Sequence, residues 1–241
     1  MGIGSRSLIY AAEREFSAGL PHCILSYMVT GKRFLCNRLT DPQPMMDTYT
    51  ELPFDELVRQ VRACTICAEA LPYGPRPVVQ LSQKSRILVV GQAPGRRVHE
   101  TGLPFNDPSG DRLRQWMGIT RESFYDERKL AILPMGFCYP GTGKSGDLPP
   151  RPECAPAWRK ALLERLSNIG LTLVIGQYAH AWHLPGAKKS VTENVQNWRK
   201  YWPDVLPMPH PSPRNNLWLR RNPWFEEEVI PQLQERVSSL L

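Results

Sequence analysis

Residues 86–119 read RILVVGQAPGRRVHETGLPFNDPSGDRLRQWMGI and contain one complete strand–loop–helix unit. The run RILVV is short, apolar and rich in β-branched residues, as is typical of a buried strand. Glycines and prolines interrupt it, and SGDRLRQWMGI then provides a helix start followed by apolar residues at helical spacing. We therefore predict a strand at residues 86–91 and a helix at residues 109–119.

The same alternation recurs three more times toward the carboxyl terminus. KLAILPM, LTLVIG and DVLPMPH are apolar runs, and each precedes a helical pattern. Strands that alternate with helices favour a parallel sheet covered on both faces. We predict an α/β fold, a three-layer sandwich in which a central, mostly parallel four-stranded sheet has helices on both faces.

Composition indicates a globular protein with a basic surface. The 241 residues suffice for one full core, and 30 Lys and Arg against 23 Asp and Glu give a net charge of +7. This balance favours a polyanionic partner such as nucleic acid, although a merely solvated basic surface has the same composition. The sequence has no apolar run long enough for a membrane span and no signal peptide, so we expect a cytoplasmic protein, nucleoid-associated if bacterial.

Residues 1–50 differ in character from the rest of the chain. They mix proline, threonine and isolated cysteines without sustained periodicity. We predict either a poorly structured N-terminal extension or a mis-assigned start, since Met45 and Met46 stand close to the change in character. The folded domain is predicted at residues 51–241. Cys23 and Cys36 belong to the prefix and are left out of the predicted site.

Four cysteines of the predicted domain have the spacing of metal ligands. Cys64 and Cys67 form a CxxC pair, and Cys138 and Cys154 flank a loop rich in glycine and proline. Four thiolates suit an iron–sulfur cluster or zinc, and structural thiols without a metal are the third interpretation. In a chain of this length a reducing compartment is favoured over a disulfide framework.

Ligands of a parallel α/β sheet bind in the loops that follow the carboxyl ends of its strands. Those loops are residues 92–108, 136–152, 177 and 210–216. GQAPG, at the start of the first, lacks the lysine of a phosphate-binding loop and does not match GxGxxG. It offers a rigid turn whose backbone amides can approach a planar ligand, with Gln92 as a donor and acceptor. The alternative is a tight turn with no ligand.

Two of these loops carry candidate reactive residues. Phe105 could stack on a base, and Asp107 precedes a helix whose N-terminus favours negative charge. Asp107 or Ser109 could instead cap that helix, and we expect Ser109 to do so. In HPSPRNN, residues 210–216, His210 follows a strand and two prolines stiffen a loop that suits a nucleic-acid groove. The alternative for His210 is a structural role.

Together, GQAPG, GLPF, DPSGD, HPSPRNN and the four cysteines resemble the iron–sulfur branches of the uracil-DNA glycosylase superfamily over residues 52–241. GQAPG and GLPF are similar to family four, whereas DPSGD and HPSxxN are closer to family five, which accepts bases beyond uracil. Pro134 departs from family four, in which an asparagine there reads the uracil edge. Ala93 occupies the position at which the best-known branch of the superfamily carries its catalytic aspartate. The resemblance therefore assigns that role to Asp107.

The resemblance implies a role for each candidate residue. Asp107 would stabilise the sugar cation or position water, and His210 would donate to the carbonyl oxygen of the departing base. The substrate-binding residues would be Gly91, Gln92, Ala93, Phe105 and Asn215. The DNA-binding residues would be Ser212, Arg214, Arg220 and Arg221, and Lys144 and Arg151 would face phosphates. The alternative for Arg220 and Arg221 is a solvated surface without a DNA contact. Cys64, Cys67, Cys138 and Cys154 would hold a structural [4Fe-4S] cluster, with zinc as the alternative.

The implied function is DNA repair by a monofunctional, monomeric glycosylase. It would flip uracil or another deaminated base out of double-stranded DNA, with single-stranded DNA as the alternative substrate, and hydrolyse the N-glycosidic bond. One alternative is a non-catalytic protein that binds damaged or single-stranded nucleic acid. Another is an unrelated small-molecule enzyme, which would have a pocket without a basic rim.

Overall fold

A computed structural model describes residue 49 and residues 52–144 and 146–241 of the chain. The predicted N-terminal extension, with Cys23 and Cys36, lies outside the described residues except for residue 49. Among the described residues, no helix combines the length and the apolar character that crossing a membrane requires.

A four-stranded parallel sheet forms the centre of the described domain. Its strands are β1 (Ile87–Val90), β2 (Leu130–Ile132), β5 (Leu171–Ile175) and β6 (Val205–Met208), and their spatial order is β2-β1-β5-β6. A separate antiparallel hairpin consists of β3 (Thr142–Gly143) and β4 (Gly146–Asp147). The predicted four parallel strands are therefore confirmed.

Helices cover both faces of the sheet. They are α1 (Phe54–Arg62), α2 (Arg96–Thr101), α3 (Pro108–Met117), α4 (Arg121–Tyr125), α5 (Cys154–Leu163), α6 (Gly176–His183), α7 (Val191–Gln196), α8 (Asn216–Arg221) and α9 (Ile230–Leu240). Short 3₁₀ turns lie at Ala68–Ala70, Trp198–Lys200 and Pro213–Asn215, and a π-helical turn at Phe225–Val229 leads into α9.

Alternating side chains of the strands divide the apolar core in two. Ile87 and Val89 of β1 pack with residues of α3 and α9 in one cluster. Leu88 and Val90 pack with residues of α1 and α5 in the other. Because successive strand residues point to opposite faces, an uninterrupted apolar strand supplies both cores at once. This arrangement confirms the predicted three-layer sandwich.

A buried histidine ties two strand ends together beneath the loops. His180 of α6 is 1% exposed, and its Nε2–H donates to the carbonyl oxygens of Val174 (3.0 Å) and Met208 (3.2 Å). The Nδ2 amide of Asn194 donates to its Nδ1, 3.2 Å away. Burial lowers the pKa of His180, which keeps the ring neutral. The hydrogen bonds of His180 thus hold together the ends of β5 and β6, after which two loops of the pocket begin.

Helix α3 begins differently from the prediction. The backbone N–H of Gly110 donates to Asp107 Oδ1 over 2.9 Å, so Asp107 is the N-cap, and Ser109 is buried in the first turn. The expectation that Ser109 caps this helix was wrong. Pro108 explains the difference, because proline lacks an N–H and has a helical φ, which suit the first helical position and place the cap one residue earlier.

Candidate active site

A pocket of about 640 Å³ lies at the carboxyl ends of the strands, where the sheet topology predicts a ligand site. It brings together residues from the first, second and fourth predicted loops, and Gln177 as well. The predicted site residues that line it are Gly91, Gln92, Ala93, Phe105, Asp107, His210, Ser212, Arg214 and Asn215.

Phe105 lines the pocket and has an unusual backbone conformation. Its φ of 52° lies in the left-handed region, which residues other than glycine rarely adopt. Its ring lies beside Gly91, where a Cβ would come within 3.6 Å of Cζ, and meets Phe124 edge-on with centroids 6.1 Å apart. The ring thus faces the GQAPG turn, and such local strain is characteristic of functional sites.

Helix α3 and its neighbours hold Phe105 in this conformation. Arg114 donates from Nη1 to the Phe105 carbonyl oxygen over 3.3 Å, and the Tyr125 hydroxyl donates to the Pro104 carbonyl oxygen over 3.0 Å. A Cβ at Gly110 would lie only 1.7 Å from the Phe105 oxygen, so this position accepts glycine alone. The glycine of DPSGD therefore serves the close approach of the phenylalanine loop to the helix.

Asp107 is both the cap of α3 and a residue of the pocket. One carboxylate oxygen accepts from Gly110 as the helix cap, and the residue also lines the pocket. A capping bond orients the carboxylate without removing its negative charge. The second oxygen is therefore held at a defined position relative to the pocket.

The His210 loop fixes the tautomer of the histidine. The backbone N–H of Ser212 donates to His210 Nδ1 over 3.2 Å, so the ring proton resides on Nε2. Asn215 donates from Nδ2 to the His210 carbonyl oxygen over 2.8 Å, and Ser212 Oγ accepts from the Arg214 backbone. Asn215 and Ser212 thus shape this loop themselves.

Burial lowers the pKa of His210, and Arg214 lowers it further. Asp107 and Asp147 act in the opposite direction, but burial has the larger effect. The imidazole is therefore neutral near pH 7, and it can still donate a hydrogen bond from Nε2.

Asp147 is a pocket residue that sequence reasoning missed. It lies on the β3–β4 hairpin and lines the pocket together with Gly146. Gln92 holds the hairpin here, because its Nε2 donates to the Leu148 carbonyl oxygen over 2.9 Å. A Cβ at Gly95 would stand 3.5 Å from Asp147 Oδ2, and one at Gly146 only 2.7 Å from Arg214 Nη1. The only sequence signal was its position in a loop that follows a strand end.

The remaining predicted DNA contacts lie away from this pocket. Arg220 borders a second depression, which Arg112 and Glu226 also line, and Arg221 is exposed at the end of α8. Lys144 is exposed on the hairpin, whereas Arg151 pairs with Glu153 at 2.5 Å. Arg220, Arg221 and Lys144 thus remain available to a polyanion.

The four predicted metal ligands occupy one region of the domain. Burial is the main cause that raises the pKa of Cys138 to about 11 and that of Cys154 to about 12, and the neighbouring Cys64 and Cys67 contribute to both shifts. Trp158 donates from Nε1 to Cys64 Sγ over 3.2 Å, and the Phe137 N–H donates to Cys154 Sγ over 3.4 Å. The thiols thus share a neighbourhood in which N–H groups point at sulfur.

The described thiols do not converge on a single metal ion. Among the described residues, no three His, Cys, Asp or Glu side chains form a group that could hold a metal ion. The donor set itself suits a soft metal centre. The four cysteines come from three segments, the other three lie near enough to Cys154 to raise its pKa, and two of the sulfurs accept hydrogen bonds from N–H groups.

The residues that line the pocket lie mostly within a stretch of the chain that matches a known protein family. A family model described as the uracil DNA glycosylase superfamily matches residues 79–234. A type-4 uracil-DNA glycosylase of Thermotoga maritima is 29% identical over 173 residues, which cover 68% of this chain and 84% of that protein. The family match includes the GQAPG, Phe105 and His210 loops, and it begins after the CxxC pair.

Proposed function

The chain belongs to the uracil DNA glycosylase superfamily, and we propose that it is a monofunctional DNA glycosylase that excises uracil or another deaminated base. The observation that supports this proposal best is the pocket itself, in which Phe105, Asp107 and His210 surround one space. A glycosylase must hold an extruded base against a flat surface and stabilise opposite charges on the sugar and the base. An aromatic ring, a carboxylate and a neutral hydrogen-bond donor meet these needs.

The first step in this proposal is base flipping. Extruding a base from duplex DNA costs a few kcal/mol, and least at a mismatch. Stacking on the Phe105 ring would offset about 1–3 kcal/mol of this cost. Gln92 already uses its side-chain amide to hold the hairpin, so its contribution to base binding is assigned to its backbone.

Bond cleavage separates a cationic sugar from a base anion. Asp107 would stabilise the cation or position the attacking water with its second oxygen, and Asp147 adds another negative charge to the same pocket. His210 would donate from Nε2 to the base oxygen on which negative charge develops. No lysine is among the described residues that line the pocket, so we propose hydrolysis without strand cleavage through a Schiff base.

The substrate range of this pocket extends beyond uracil in our proposal. Pro134 lines the wall and offers no side-chain amide to read the edge of a pyrimidine. Arg214 at the rim, with Arg220, Arg221 and Lys144 outside it, would contact phosphates, which position DNA without reading its sequence.

The decisive experiment measures abasic sites in duplexes that each carry one uracil, hypoxanthine or xanthine. We expect release of at least uracil, with an undamaged duplex of the same sequence as the control. Tight DNA binding without release of any of these bases would contradict the proposal. It would favour the second candidate, a non-catalytic binder of damaged or single-stranded DNA, for which Ala93 is the supporting observation because it supplies no catalytic group in the pocket.

We also propose that Cys64, Cys67, Cys138 and Cys154 bind a structural [4Fe-4S] cluster. When bound, such a cluster would join the end of α1, the loop after β2 and the start of α5. It would stiffen the base of the loop that carries Asp147, and no chemical step is assigned to it. Zinc is the alternative occupant of four thiolates.

Replacing Cys138 or Cys154 by serine should abolish the visible absorption of thiolate-bound iron and lower the melting temperature. The reason is that a [4Fe-4S] cluster needs four thiolates, whereas a serine hydroxyl is a poor ligand for iron. The measurements are iron and sulfide content, the absorption spectrum and the thermal transition of anaerobically purified protein. A Cys23→Ser, Cys36→Ser double variant is the matched control and should keep the cluster. Stoichiometric zinc without iron in the wild-type protein would overturn the assignment.

A further inference from the structure

An exposed aromatic ring lies outside the catalytic pocket on a rigid support. Tyr73 is 52% exposed and stacks on Tyr139, with ring centroids 5.4 Å apart and an angle of 28° between the planes. Tyr139 is fully buried, and its hydroxyl forms a hydrogen bond with the Thr142 hydroxyl. The exposed ring therefore lies on a second ring that is itself held in place.

One arginine lies beside this ring. The guanidinium of Arg96 lies 5.9 Å from the Tyr73 centroid. Arg96 pairs with Glu100 at 3.0 Å, yet 67% of its side chain remains exposed. An aromatic face with an adjacent arginine is a combination that binds nucleobases and their phosphates without sequence preference.

Helix α2 lies between the ring and the catalytic pocket. Gly95 is the N-cap of this helix, and both Gly95 and Val98 line the pocket. Arg96 and His99 belong to the same helix, and the His99 ring lies 6.1 Å from that of Tyr73. A single helix of six residues therefore separates the pocket from the exposed ring.

We propose that Tyr73, supported by Tyr139 and flanked by Arg96, is a second nucleobase-binding site that takes an unpaired base of the bound DNA. The proposal rests on the proposed function, since it assumes a DNA substrate. A paired base inside a duplex hides both of its faces in the stack, so only an unpaired base can lie on Tyr73. Because every base has a π face, this site tolerates any sequence. It gives the protein a preference for DNA that is single-stranded or disrupted beside the lesion.

The test compares DNA binding by Tyr73→Ala and Tyr73→Trp. The ligands are a short oligothymidylate and a blunt undamaged duplex, and affinity is measured by fluorescence anisotropy at one salt concentration. Loss of one stacked base should weaken binding of the single strand by about 5- to 100-fold for Tyr73→Ala and leave duplex binding unchanged. Tyr73→Trp should restore the affinity, because tryptophan retains an aromatic face.

Trp182→Ala is the matched control, since Trp182 is 49% exposed on α6 and should not affect either ligand. Equal affinity of Tyr73→Ala and the wild-type protein for the single strand would overturn the proposal. An equal loss for single strand and duplex would also overturn it, because that pattern indicates a phosphate contact. Uracil excision by the wild-type protein is measured in parallel, so that failure of this site is distinguished from failure of the glycosylase function.

Discussion

Asp107→Asn should lower the single-turnover rate of base excision by about 10²- to 10⁴-fold while the protein stays folded. Asparagine caps a helix about as well as aspartate, so the hydrogen bond from Gly110 survives the substitution. What disappears is the negative charge that would stabilise the sugar cation or orient water. The rate is measured on a uracil-containing duplex, and folding is checked by the thermal transition.

Two further variants separate the charge from the cap. Asp107→Ala should lose the same activity and also about 1 kcal/mol of stability, because it removes both. Thr120→Ala removes the N-cap of α4, where Thr120 Oγ1 accepts from the Ser123 N–H over 3.2 Å, and should cost similar stability with no effect on excision. Excision by Asp107→Asn at the wild-type rate would exclude Asp107 from the chemistry and direct attention to Asp147.

His210→Ala should reduce excision by about 10²- to 10³-fold, the typical loss when one donor to a developing anion is removed. The donor is Nε2–H, because Nδ1 is occupied as the acceptor of the Ser212 N–H. The measurement is the single-turnover rate on the same duplex. Rates within a few-fold of the wild-type value would show that His210 is a structural residue of the loop.

The pH dependence of the wild-type rate tests the same assignment. Burial lowers the pKa of His210 below its usual 6.5, so the neutral donor persists at and above pH 7. As the pH falls through the lowered pKa, the ring gains a proton on Nδ1 and loses the bond from Ser212. The stability that the neutral ring contributes is fully present above the usual pKa of histidine, 6.5, and is lost as the pH falls through the lowered pKa. We therefore expect the rate to be flat from neutral pH upward and to fall on the acidic side.

Acid unfolding is the competing explanation for such a fall. Burial also lowers the pKa values of His180 and His183. The fold therefore also loses stability when the pH falls and these two histidines become protonated. Circular dichroism at each pH identifies this contribution. A wild-type rate that rises as the pH falls, with the protein folded, would indicate that a protonated His210 is the active form.

The four strands and the loops at their carboxyl ends were predictable from the sequence. An apolar run such as ILVV buries both faces of a parallel strand, and parallel strands all end at one edge. This is why Phe105, Asp107 and His210 could be assigned to a common site from residues more than 100 positions apart in the chain. The outline of the pocket follows from short-range pattern and from topology.

Details that depend on close contact were not predictable. The left-handed backbone of Phe105 exists because Gly110 lets the loop approach and Arg114 bonds its carbonyl oxygen. The assignment of the cap to Ser109 failed because both residues have capping side chains, and the backbone conformation set by Pro108 decides between them.

Residue types, periodicity and turn chemistry are local properties, so the sequence alone predicted the four parallel strands, the helices that follow them and the candidate reactive groups. It did not predict α2 or the β3–β4 hairpin, which lie within the predicted loops 92–108 and 136–152. Distances between groups are not local. The bond from Gln92 to Leu148 joins residues 56 positions apart and draws the hairpin with Asp147 to the pocket, and the stacking of Tyr73 on Tyr139 depends on two loops that meet in space. Those contacts arise only when the core packs, because burial of both sheet faces sets where each loop stands relative to the others.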